Sequence, residues 1–166
     1  MHTKHLADDA FSQAVSEFCN FVDARYARRP VLMDKKFVFS EVMLTELLCT
    51  YFEEKGIGAI TVGQHTENGL GMDFVLVRHG QALFIQSKRC CTLQKGLTKV
   101  INKEQQRKMK LCVETCKNLG LKCSACILIF VGLTKKNGQL SLMMWPNEQE
   151  FTASHQVEHC TKFSWQ

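Results

Sequence analysis

The chain has 166 residues, 45% of them hydrophobic and only two of them proline, which excludes a disordered chain. A chain of this length suits one domain that buries about 70% of its unfolded surface. The formal charge of +5 and the pI near 8.7 are compatible with a polyanionic partner and do not require one.

No apolar run approaches the roughly 18 residues that a membrane helix needs, and the first ten residues (MHTKHLADDA) are polar, unlike a secretory leader. Nine cysteines are scattered along the chain, several inside apolar runs. An odd, dispersed set of this kind reads as reduced thiols, so the expected location is intracellular and cytoplasmic, with no membrane partner.

Taken in chain order, residues 6–28 carry Ala7, Phe11, Ala14, Val15, Phe18, Phe21 and Val22 at helical spacing, and Pro30 follows as a stop. A second helix is predicted after Ser40, a good N-cap, with Val42, Met43, Leu47, Leu48, Tyr51 and Phe52 as its stripe and Gly56 as its terminator. The period then changes. Residues 57–62 read as a strand, 64–71 as a polar, glycine-containing loop, 72–78 as a second strand and 82–88 as a third. His79, Gly80 and Gln81 join the last two as a hairpin. A long amphipathic helix is predicted over 97–119, ended by Gly120. Residues 123–131 (CSACILIFV) are almost wholly apolar, as in a strand covered on both faces. A further strand is expected over 140–145 after the Lys136-Asn137-Gly138 turn, and from 147 onward the chain is polar and poorly patterned.

The predicted order is helix, three strands, helix, strand, with an extra helix in front and an extra strand behind. This is an α/β fold with a mixed central sheet flanked by helices. One domain over residues 1–166 is the economical reading, with its core at about 40–146.

Three residues carry candidate chemistry. Asp73 opens the second strand; Gln86 and Lys88, two apart on the third, project from one face. A hairpin brings the start of one strand beside the end of the next, so an acid, an amide oxygen and an ammonium meet at one edge. Glu46 on the preceding helix approaches the same corner, with Glu41 as its competitor and Glu53 and Glu54 behind it. Magnesium takes oxygen ligands. Asp73 and Gln86 are the candidate metal ligands, with Glu46 assisting and the Ser87 backbone carbonyl as a further oxygen. Lys88 is placed to orient a water or to offset negative charge.

This pattern resembles the PD-(D/E)XK nuclease superfamily, whose signature is a helix glutamate, a strand aspartate and then (Glu/Gln/Asp)-X-Lys on the next strand. Here those are Glu46, Asp73 and Gln86-Ser87-Lys88. The predicted order is similar to the superfamily's restriction-endonuclease-like αβββαβ core, and the spacing most resembles the archaeal Holliday-junction resolvases. Glu104-Gln105 matches an acidic residue and glutamine near the start of their following helix. The resemblance covers roughly residues 40–132. It implies a Mg²⁺-dependent endonuclease acting on nucleic acid, with DNA as the expected substrate, Mn²⁺ as a substitute ion and a homodimer as a possible assembly. Met72 stands where the family usually has proline, and Gln86 stands where it usually has glutamate. A neutral ligand removes one negative charge and leaves open a one-metal mechanism, or binding without cutting.

Basic residues follow the candidate site: Arg89, Lys95, Lys99, Lys103 and Arg107, with Gln105 among them. They form either a solvated face or a phosphate-tracking surface. Cys123-X-X-Cys126 invites a zinc or redox reading but lacks a second pair and lies in an apolar strand. His155, His159 and Cys160 would hold a metal only if helical. Cys90-Cys91 has no partnered base. Two alternatives to the nuclease stay open: a nuclease fold kept for nucleic-acid binding, and a protein-interaction module.

Overall fold

The computed structural model describes residues 9–27, 40–63, 71–90, 103–132, 139–145 and 149–152. Helix α1 (Asp9–Ala27) forms on the periodic stripe expected of it. Phe11, Ala14, Val15, Phe18, Cys19 and Val22 recur at three- and four-residue steps, and all are buried. Helix α2 (Glu41–Glu54) starts where Ser40 Oγ accepts the Met43 N–H at 3.1 Å. It buries Leu48 and Phe52 of the predicted stripe, with Leu47 and Tyr51 partly buried against the same core, and adds Leu44, Thr45 and Cys49, while Val42 and Met43 are exposed.

Strands β1 (Gly58–Thr61), β2 (Phe74–Arg78) and β3 (Gln81–Cys90) run as an antiparallel meander. The β2–β3 loop has two residues, His79 at φ 51° and Gly80 at φ 72°. Two positive φ angles in succession make a type I′ turn, whose twist matches that of the flanking strands. Helix α3 (Lys103–Asn118) then crosses over to β4 (Lys122–Gly132), which pairs parallel to β3 from Gln81↔Lys122 to Cys90↔Val131. Gly120, at φ 85°, ends the helix and lets Leu121 N–H reach the Cys116 carbonyl at 3.0 Å. Strands β5 (Leu140–Trp145) and β6 (Gln149–Thr152) close the sheet antiparallel, giving the order β1-β2-β3-β4-β5-β6.

Helices α1 and α2 cover one face and α3 the other. Alternation along β4 feeds both layers: Cys126, Leu128 and Phe130 enter the α1–α2 core, and Ile127, Ile129 and Val131 enter the α3 core. Ring contacts tie α1 to the rest, Phe11 to Phe52 at 5.1 Å and Phe18 to Phe130 at 6.1 Å between centroids. The expected α/β class and mixed, helix-flanked sheet are therefore present. No described helix is long and apolar enough to cross a membrane.

Some boundaries differ from expectation. Strand β6 was not predicted. Its residues are mostly polar, and backbone pairing at a sheet edge places them (Ser141↔Thr152 to Met144↔Gln149). Strand β2 begins at Phe74, because Met72 turns into the α3 core, although the Asp73 backbone still bonds to Val62 and Ile85. The predicted start of α3 at 97, the loop over 64–70, Pro30 and the turn at 136–138 lie outside the described residues.

Candidate functional site

At one end of the sheet β1 finishes and β2, which lies between β1 and β3, begins. The first turns of α2 lie over this corner. Together they line a cleft of about 120 Å³ with Glu41, Thr45 and Glu46 from α2, Thr61 at the end of β1 and Val62 just after it, and Asp73.

Asp73 is fixed through its backbone and its side chain. Its N–H donates to the Ile85 carbonyl at 2.8 Å, and its carbonyl accepts from Val62 N–H at 2.9 Å. Its Oδ2 accepts the Ser87 N–H at 2.5 Å, a charge-assisted bond that aims the carboxylate at the β3 backbone. The residue before this stretch explains the local path. Gly71 sits at φ 75°, and a Cβ there would come to 2.5 Å from the Gln105 carbonyl oxygen of α3. Only glycine lets the chain pass that close to α3 before turning into Asp73.

Glu41 is half-buried in the first turn of α2. Burial raises its carboxyl pKa above the ordinary value, and the Asp73 carboxylate pushes it up further. Lys88 and Arg89, at the end of β3, pull it back down. Two carboxylates thus repel each other across the cleft while two cations lie within electrostatic reach. Glu46, the helix acid preferred from sequence, also lines the cleft but is exposed. The electrostatic coupling to Asp73 and Lys88 belongs to Glu41, its competitor.

Two buried hydroxyls join the helix to the sheet. Thr45 Oγ1 lies 2.9 Å from the Glu41 carbonyl oxygen and 3.0 Å from Ser87 Oγ. Thr45 was not singled out from sequence, and Ser87 was named only for its backbone carbonyl and its place in the motif. The signal was available: each is a polar residue at a core position, Thr45 beside Leu44 and Leu48 and Ser87 following Ile85.

Gln86 is 1% exposed, and its Oε1 has no hydrogen-bond partner among the described residues. One register step beyond Phe74↔Ile85, it stands opposite Asp73. Because Ser87 faces α2, strand alternation turns Gln86 and Lys88 toward the other face of the sheet. Asp73 is therefore brought together with Glu41, Thr45 and the Ser87 backbone, whereas Gln86 adjoins it in register from the α3 side of the ladder.

On α3, Lys103 is exposed and Gln105 packs its backbone against Gly71. Arg107 is engaged by Glu104 through two bonds of 3.0 and 2.6 Å, which lower the Glu104 pKa and raise that of Arg107. Lys95 and Lys99 lie outside the described residues, as do Cys91, His155, His159 and Cys160.

Cys123 and Cys126 enter opposite cores, so they cannot share an ion. Burial holds the Cys126 and Cys19 thiols above their usual range and pushes Cys49 up to about 12. Among the described residues, no group of three or more histidine, cysteine or acidic side chains is arranged to hold a metal. The donors at the cleft are hard oxygens: the carboxylates of Glu41, Glu46 and Asp73, with the Gln86 amide oxygen adjoining Asp73 in the ladder. That set fits magnesium better than zinc. Compared with known proteins, the chain matches no protein-family model and no curated protein.

Proposed function

We propose that this chain is a divalent-cation-dependent nuclease that hydrolyses phosphodiester bonds of nucleic acid, DNA foremost, in the cleft between α2 and the β1–β2–β3 corner. The observation that carries the proposal is the pair Glu41 and Asp73: two acids held against each other in a partly buried cleft beside Lys88 and Arg89. Like charges confined in this way repel unless a cation joins them. The chain order α2-β1-β2-β3-α3-β4 supports a restriction-endonuclease-like reading of the fold, because it matches the αβββαβ order of the PD-(D/E)XK pattern.

In this scheme Asp73 and Glu41 hold the ion from the cleft, and Gln86, next to Asp73 across the ladder on its α3 side, would swing its amide oxygen, which has no hydrogen-bond partner among the described residues, toward the ion as a neutral donor. Glu46 assists from the cleft rim, directly or through water. Bound magnesium would lower the pKa of a water and offset charge on the phosphate. The other roles belong to the chain. The Ser87 N–H keeps Asp73 aimed. Lys88 orients the attacking water and compensates the negative charge that develops on the phosphoryl oxygens. Lys103, Gln105 and Arg107 are the described residues proposed to follow the nucleic-acid backbone; the same role expected of Lys95 and Lys99 falls outside the described residues, and the guanidinium nitrogens of Arg89 are buried.

A cleavage screen over branched, duplex and single-stranded DNA and RNA, with Mg²⁺ or Mn²⁺, tests this. Wild type is expected to cut at least one substrate. Asp73→Ala and Lys88→Ala should each lose on the order of 10²–10³ in rate while staying folded. Full activity in Asp73→Ala would remove the assignment. Gln86 favours a second reading, a nuclease fold that binds without cutting, since an amide leaves the site one charge short of three acids. It predicts salt-dependent binding and no cleavage with either ion.

A further inference from the structure

The cleft is built from two separate pieces. Glu41 comes from α2, and Asp73 is held by β3 through Ser87 N–H. Their separation therefore depends on how α2 seats on β3. The contact that sets this seating is polar in an otherwise apolar interface. Thr45 and Ser87 are 7% and 1% exposed, and their hydroxyl oxygens lie 3.0 Å apart. Thr45 is one turn after Glu41, on the same helix face, and touches the Glu41 carbonyl at 2.9 Å. Ser87 is the residue whose backbone N–H grips Asp73. The chain Glu41–Thr45–Ser87–Asp73 thus runs unbroken from one carboxylate-bearing residue to the other.

We propose that the Thr45–Ser87 hydroxyl pair is a positioning device that sets the spacing of Glu41 and Asp73, and through it the affinity of the cleft for a divalent cation. This role presupposes the cation site proposed above. Apolar contacts alone tolerate small slides and rotations of a helix on a sheet. A buried hydroxyl pair does not, because a slip orphans Ser87 Oγ and leaves Thr45 Oγ1 only the Glu41 carbonyl of its own helix. Neither side chain needs to touch the ion.

Mn²⁺ binding to the full-length chain, followed by electron paramagnetic resonance, tests the proposal alongside urea unfolding without metal. Thr45→Val keeps the shape and removes the hydroxyl. Ser87→Ala removes the hydroxyl and keeps the N–H that holds Asp73. Each should weaken Mn²⁺ binding about 10-fold or more, the scale of loss when a group behind a metal ligand is removed. The double variant should bind no more weakly than the worse single one, and Thr45→Ser should restore affinity. In a Glu41→Gln background, Thr45→Val should change nothing further, because its effect passes through Glu41. Wild-type affinity in both Thr45→Val and Ser87→Ala, with binding lost in Asp73→Ala, would overturn the positioning role and leave the cation site standing. An equal loss from Thr45→Val with and without the Glu41 carboxylate would also overturn it, as a general folding defect. No Mn²⁺ binding by wild type would remove the cation site and this role together.

Discussion

Glu41 is under opposing demands. Burial and the Asp73 carboxylate raise its pKa in the folded chain, so folding favours its protonated form. The sign follows from linkage. Below the ordinary glutamate pKa of about 4.3 the carboxyl is protonated in both states and costs nothing. As pH rises through that value toward the raised folded one, stability is lost, and the loss persists at neutral pH. Glu41→Gln should therefore raise the melting temperature at pH 7, leave it unchanged near pH 3, and weaken Mn²⁺ binding. A lower melting temperature at pH 7 would mean that the carboxylate is favourably paired instead. Gln86 gives the complementary test. Gln86→Glu places a charge at a site that is 1% exposed. It should lower the melting temperature without metal, and saturating Mn²⁺ should recover more stability in this variant than in wild type, as a ligand that binds only the folded state does. At this scale the sequence was informative about residue types and less so about partners. Asp73 and Lys88 stand out by their strand context. The choice of Glu41 over Glu46 as the acid coupled to Asp73 depends on how α2 rotates on the sheet, and periodicity over the first turn of a helix does not fix that rotation.

Elements were legible wherever one face is buried. Helix α1, the β2–β3 hairpin and the apolar β4 all follow from period and turn chemistry. The His79-Gly80 turn is a case in point, since glycine beside a residue that tolerates positive φ is what a two-residue hairpin needs. Edge strand β6 was not legible, because its residues are mostly polar and its strand form comes from backbone pairing with β5. The Cys123-X-X-Cys126 question was answerable in advance: residues three apart on a strand point to opposite faces. Gly71 was not, because its constraint is a close approach to Gln105 on a helix far along the chain. Gly71→Ala should destabilise by about 2–4 kcal/mol, combining left-handed strain with a backbone clash. Urea denaturation measures this, and an unchanged midpoint would show that the close approach is not needed. Helix α1 belongs to the same core as the cleft. Phe18 packs tilted against Phe130 of the central strand, so Phe18→Ala should cost about 3–5 kcal/mol in the same assay.

For the molecule as a whole, the arrangement of charge says more than its total. A net +5 is shared by many domains without nucleic-acid partners, but here Lys88 and Arg89 adjoin the acidic cleft at the end of β3. On the proposed reading, Lys88 and the exposed lysines of α3 bind phosphates with a strong dependence on salt. Lys103→Ala should lower the slope of log affinity against log salt by about 1 while weakening all sequences alike. Arg107→Ala should matter less, since Glu104 already neutralises that guanidinium. The central claim, a divalent cation between Glu41 and Asp73, is open to one direct measurement: anomalous diffraction at the manganese edge from crystals soaked in Mn²⁺. The account predicts a peak inside the cleft in wild type and none there in Asp73→Ala. A wild-type map with no peak at that position, under conditions where manganese is seen elsewhere on the chain, would contradict it.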